Sequence, residues 1–250
     1  MNRTKILIIS YIVFTLISCS PKTWTITHAT SEKIAIGSKT EIIADKNYEL
    51  YLQPIKQKLD EKMNVVIGQA AETMKGSAPE SLLSNFSADV YRKVATDFLG
   101  QTVDISVVNM GGLRTVIPAG NITIGKIFEL MPFENELVIL WLKGDKLQEL
   151  VQFFASVGGE GVSGLRMEIK DDRAINVTVG GTPIDPDKVY SIATNDYLAG
   201  GNDKMVQLAQ YEKRINTGLK IRSILLDYIK NETAKGNKIQ SRLDERIKID

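Results

Sequence analysis

The run 175-INVTVGGTPI-184 constrains the fold more than any other stretch of the chain. Gly180-Gly181 suits a two-residue turn between strand-type segments, and a hairpin is antiparallel. Strand-type apolar runs also stand at 64–70, 103–109, 136–142, 165–170 and 189–194. Helical spacing of apolar residues predicts helices over 46–63, from Pro79-Glu80 to about Leu99, and over 122–130, 144–156 and 218–232. A glycine loop is expected at 158–164, and the charged tail after Lys235 reads as a solvated final segment. Strands and helices thus alternate irregularly and include a hairpin, which favours a mixed sheet over a doubly wound parallel one. The expected fold class is α+β, a layered α/β sandwich with a mixed sheet.

The N-terminus reads as a targeting segment rather than as part of that fold. Asn2, Arg3 and Lys5 precede 6-ILIISYIVFTLIS-18, an apolar run too short for a comfortable membrane span. It ends in Leu16-Ile17-Ser18-Cys19, which looks like a bacterial lipobox. Cys19 is the only cysteine of the 250 residues, so no internal disulfide can form and the thiol stands where a lipid anchor belongs. The expected organisation is a lipoprotein signal peptide over 1–18, a tether with edge strands over 19–46, and one domain over 47–250. The edge strands rest on weak alternation in 24-TWTITHA-30 and 33-KIAIG-37. The expected location is the cell envelope, lipid-anchored outside the cytoplasm. Net charge is +1, which gives no electrostatic case for nucleic acid or for an anionic membrane surface.

Two glycine motifs fail on context. Gly159-Glu160-Gly161-Val162-Ser163-Gly164 matches G-x-G-x-x-G, but the expected helix precedes it and a strand follows, the reverse of the dinucleotide fingerprint. The segment 37-GSKT-40 ends like a P-loop without the glycines that precede its lysine. The chain has one histidine, His28, and no histidine–carboxylate cluster, so a hydrolytic metal site is not expected in it. A Ser-His-Asp triad falls with the same count, since no G-x-S-x-G elbow is present.

Three loops share a chemistry. They are 109-NMGGLR-114 after a buried strand, 132-PFEN-135 entering the next one, and the loop from Tyr197 to Asp203. Together they offer two aromatic faces, an amide, a guanidinium and a carboxylate. Aromatic faces suit a nucleobase, where stacking contributes roughly 1–3 kcal/mol per base. A carboxylate such as Asp203 suits paired ribose hydroxyls, and Arg114 suits phosphate as a rigid fork. Each residue also has an ordinary reading: Phe133 and Tyr197 can line a core, Arg114 can sit in a surface ion pair, and Asp203 can cap a helix.

The order 109-NMGGLR-114, 120-GNITIGKIFELMPFENEL-137, 142-LKGDKLQELV-151 and 194-TNDYLAGGND-203 resembles the C-terminal domain of the 5'-nucleotidase / 2',3'-cyclic phosphodiesterase family. Upstream, 80-ESLLSNFSADV-90 is similar to that family's E-S-N-x-G-N-x-x-A-D-A helix. The resemblance implies a nucleoside pocket with the base between Phe133 and Tyr197, and Asp203 on the ribose hydroxyls. Asn109, Gly112, Arg114 and Asn135 match further substrate-binding positions, with Arg114 the candidate phosphate contact. No catalytic residue is expected here. The family's dimetal site lies in an N-terminal calcineurin-like domain that these residues do not contain. This chain is therefore expected to bind no metal or cofactor itself, with divalent metals on a separate metallophosphatase chain. The resemblance implies the substrate-recognition half of a nucleotide hydrolase. The alternatives are a non-catalytic nucleoside-binding surface lipoprotein and a degenerate scaffold domain. The chain departs from the family pattern at Ala78, Leu82 and Ser84, and at Lys204 where a glycine usually follows the carboxylate.

Overall fold

The computed structural model describes residues 24–33 and 45–250, divided between two units, Met1–Leu50 and Tyr51–Asp250. In the first unit, residues 24–33 are exposed and take no regular structure. The alternation at 24–30 therefore forms no strand: Trp24 and Ile26 stand in solvent without a surface to pack on. The segment 1–18, Cys19 and 37-GSKT-40 lie outside the described residues. Helix α1 (Lys46–Met63) runs from the first unit into the second. Its helical spacing is real, but none of its residues is buried.

In the second unit the remaining elements are β1 (Val66–Ala70), α2 (Leu82–Leu99), β2 (Ile105–Val108), β3 (Gly120–Thr123), α3 (Ile124–Leu130), β4 (Glu136–Lys143) and α4 (Gly144–Ser156). They continue as β5 (Gly161–Ser163), β6 (Leu165–Lys170), β7 (Arg173–Val179), β8 (Thr182–Pro183) and β9 (Val189–Asn195). The last are α5 (Asp196–Ala199), β10 (Lys213–Lys220), α6 (Ile221–Ala234) and β11 (Ile247–Ile249). The central sheet has the order β10-β4-β9-β2-β5. It is mixed: β2 and β9 run parallel, while β10–β4, β4–β9 and β2–β5 are antiparallel. A second sheet, β11-β6-β7-β8, contains the hairpin through Gly180-Gly181, and β1 pairs with β3.

The central sheet is covered on both faces, which is why β2, β4 and β9 read as continuous apolar runs. Along β4 the side chains alternate between two cores. Leu137 and Ile139 join Phe86, Val90 and Tyr91 of α2 and Leu225 and Ile229 of α6. Val138, Leu140 and Leu142 join Leu147, Leu150 and Phe154 of α4 and Leu165 and Met167 of β6. The result is the layered α/β sandwich with mixed sheets expected from the sequence.

Several element boundaries differ. Helix α2 starts after an N-cap at Ser81, not at Pro79-Glu80, because Ser81 and Ser84 form a reciprocal capping box. Ser84, a departure from the family pattern, thus closes the helix entry. Within 122–130, Ile122 belongs to β3 and Thr123 caps α3. The glycine loop at 158–164 contains β5, whose backbone pairs with β2. The interval 218–232 starts as strand, with Leu219 in β10. The tail is not solvated throughout: Ile239 and Arg246 are buried and β11 pairs with β6. Glu80 anchors that tail by accepting the backbone N–H groups of Asp244 and Arg246 and the Asn85 amide.

Candidate functional site

Topology brings the three loops to one end of the central strands. Strands β2 and β9 are parallel neighbours, so their C-terminal ends, at Val108 and Asn195, lie together. Strand β4 is antiparallel to β9, with Leu137 opposite Asn195, so its start adjoins those ends. Asn109 to Arg114, Phe133 to Asn135 and Tyr197 to Asp203 therefore emerge side by side, at the carboxyl ends where α/β sheets open a crevice.

They enclose a cavity of about 310 Å³ lined by Asn109, Gly112, Arg114, Phe133, Asn135, Tyr197 and Asp203, every candidate residue read from these loops. Gly111, Met131 and Asn195 complete the lining. Met131 carries no signal of its own in the sequence. Asn195 does: its side-chain oxygen accepts the Leu198 N–H at 2.8 Å and caps α5, a role typical of asparagine before a helix.

Asp203 is the electrostatic centre of the site. Its carboxylate accepts the Asn109 amide at 2.6 Å and the Tyr197 hydroxyl at 2.8 Å. The bond to Asp203 holds the Tyr197 hydroxyl protonated, raising its pKa. Phe133 and Tyr197 are 41% and 43% exposed, so both rings retain free aromatic surface. The Arg114 guanidinium lies 5.4 Å from the Phe133 ring centroid, a cation–π distance, and donates to the Gly111 carbonyl at 3.0 Å. Asn135 donates to Asp196 at 2.8 Å, tying the β4 entry to α5.

The glycine at 112 is set by close approach. A Cβ there would fall 2.8 Å from Asn109 Oδ1, displacing the amide that holds Asp203. Lys204, where the family pattern carries glycine, has φ +64°, in the left-handed region that glycine adopts without strain. Asp203 itself has φ +52°, which a short acidic side chain tolerates better than most.

Two positioning residues lie behind the lining. Glu160, from the loop that mimics a dinucleotide motif, accepts the Met110 N–H at 2.8 Å and so fixes the 109–112 turn. Burial pushes its carboxyl up to about 7, opposed by the Met110 and Gly161 N–H groups and reinforced by the charge of Asp203. Arg222, at the start of α6, stacks 4.1 Å from the Phe128 ring centroid and donates to the carbonyls of Met131 and Phe133 and to Glu134. It clamps the turn that presents Phe133. His28 lies on the exposed 24–33 segment, and among the described residues no group of three or more His, Cys, Asp or Glu side chains is placed to hold a metal ion.

The family model described as "5'-nucleotidase, C-terminal domain" matches residues 66–210, and all ten lining residues lie within that span. The chain belongs to this family. A 5'-nucleotidase of Vibrio parahaemolyticus is 25% identical over 199 residues, covering 77% of this chain and 35% of the relative. Protein UshA of Yersinia enterocolitica is 26% identical over 212 residues, covering 82% of this chain and 38% of the relative. The crystal structure of a 5'-nucleotidase precursor from Thermus thermophilus superposes with a TM-score of 0.68 at 29% identity. That match covers 81% of this chain and 42% of the other. This 5'-nucleotidase C-terminal domain thus spans less than half the length of the relatives it matches.

Proposed function

We propose that this domain is the substrate-recognition half of a 5'-nucleotidase-type phosphohydrolase. It holds the base and ribose of a nucleotide while a metallophosphatase on a separate chain supplies the metals that cleave the phosphate ester. The observation that carries the reading is the convergence of two half-exposed aromatic rings, an oriented carboxylate and a guanidinium on one cavity. The base stacks between Phe133 and Tyr197. The ribose hydroxyls donate to Asp203, which Asn109 holds in place and which exchanges its bond from Tyr197 for the ligand. Arg114, already beside the Phe133 ring, reaches toward the phosphate. Asn135 orients α5, and with it Tyr197, through Asp196.

The metals of the partner would activate water and polarise the phosphate. This chain contributes position: a nucleoside held in one orientation turns an encounter into a near-unimolecular step. The single histidine of the sequence fits that division of labour. A lipid on Cys19 would keep the pocket at a membrane surface outside the cytoplasm; the mass of the mature protein extracted from membranes tests this, with a diacylated Cys19 N-terminus expected and an intact residue 1 contradicting it.

The catalytic half of the proposal is tested by mixing. AMP hydrolysis by a metal-loaded phosphoesterase partner should rise on adding this protein and should not rise with the Phe133→Ala, Tyr197→Ala double variant. A rate indifferent to both proteins leaves only nucleoside binding without catalysis.

A further inference from the structure

A second cavity, of about 410 Å³, opens among α2, β6, β7 and the 242–246 segment. It shares no lining residue with the first. The charged side chains in its wall are Arg92, Arg166, Arg242 and Arg246 against Asp89 and Asp244, an excess of two positive charges.

The carboxylates are already committed to holding the fold. Asp89 accepts both terminal nitrogens of buried Arg246, at 2.8 and 2.7 Å, and the Ser163 hydroxyl at 2.7 Å. Asp244 takes Arg246 Nε at 2.8 Å and is shared with Arg166 at 3.3 Å and Arg242 at 3.8 Å. Glu80, behind Arg246, accepts backbone N–H groups of the tail.

Arg92 is left over. It is half-buried, and its Nε donates to the Val103 carbonyl at 2.8 Å. Its guanidinium packs so closely on Gly164 that a Cβ there would fall 2.9 Å from Arg92 Cζ. Among the described residues no carboxylate lies within ion-pair distance of it. A half-buried guanidinium without a counter-charge, facing two shared ones across a cavity, is an arrangement that an anion completes. A guanidinium fork matches an oxyanion with two parallel bonds.

We propose that this cavity binds a small, doubly charged oxyanion of the phosphate type, with Arg92 as its principal ligand and Arg166 and Arg242 closing over it. The site is independent of the nucleoside pocket and does not rest on the function proposed above.

Calorimetric titration of the full chain with inorganic phosphate, at constant ionic strength and against a chloride control, tests it. Saturable phosphate binding is expected. The affinity should fall about tenfold in Arg92→Gln, the scale of a lost hydrogen bond to a charged group. It should fall in the same direction in Arg242→Gln, an exposed residue whose replacement leaves the fold intact. Arg114→Gln, which removes the phosphate-facing guanidinium of the other cavity, should remove at most a separate binding event there and leave the Arg92-dependent binding in place. The proposal is overturned by no saturable binding, by an equal response to chloride, or by binding that Arg114→Gln abolishes and the other two variants leave alone.

Discussion

At the scale of the residue, the site is built from conformations that its side chains make costly or make possible. Lys204 occupies a left-handed backbone position, φ +64°, where the family pattern carries glycine. Lys204→Gly should therefore stabilise the domain by about 1 kcal/mol, read from denaturant midpoints, with the cavity unchanged. Gly112→Ala should act oppositely on function: the added methyl meets Asn109 Oδ1 at 2.8 Å, so nucleoside affinity should fall while the fold survives. Glu160 makes the domain sensitive to pH. Its folded carboxyl titrates near 7 and its ordinary value is 4.5, so between these limits the folded state binds more protons than the unfolded. The contribution of this group to stability is largest below about 4.5 and is lost as pH rises toward 7, with a slope of at most about 1.4 kcal/mol per pH unit. Glu160→Gln should flatten the stability profile across that window. A profile that keeps its slope would assign the titration elsewhere.

At the scale of the element, what could be read from the sequence followed from burial. The runs that became β2, β4 and β9 are apolar on both sides because the central sheet is covered on both faces. Helix α4 kept its predicted bounds because its buried positions recur at helical spacing. Strand β10, KRINTGLK, lies at the edge of the central sheet and alternates no apolar face, so only its register against β4 defines it. Strand β11 is three residues long and exists because β6 offers it a partner. Strand β5, GVS, is hidden among glycines for the same reason: pairing with β2 decides it, not side-chain pattern. The three loops that line the cavity were legible because aromatic, amide and charged side chains there serve no core. Their clamps were not: Arg222 reads as an ordinary helix-start charge until α6 is placed beside the 131–134 turn. Arg222→Ala should loosen that turn and weaken nucleoside binding severalfold at nearly unchanged melting temperature. Arg222→Lys should fail to restore it, since a lysine cannot span several acceptors as a planar fork.

At the scale of the whole molecule, two cores hold the sheet that carries the cavity. One packs α2 and α6 against it, the other packs α4 and the second sheet. The pocket lies where the ends of the central strands converge, so it borrows rigidity from both cores without weakening either. Leu140→Ala, inside the second core, should cost about 2–5 kcal/mol and lower nucleoside binding only through the unfolded fraction. Residues that face the cavity should behave the other way, with binding lost and stability kept. That contrast separates a ligand site from a packed crevice.

The most direct test of the central claim is calorimetric titration of the protein with adenosine and with AMP, in buffer free of divalent metals. Saturable binding of both is predicted, reduced about a hundredfold or more in the Phe133→Ala, Tyr197→Ala double variant, since each ring contributes a stacking face. A folded protein that takes up neither ligand, or a double variant that binds as tightly as the wild type, would contradict the account.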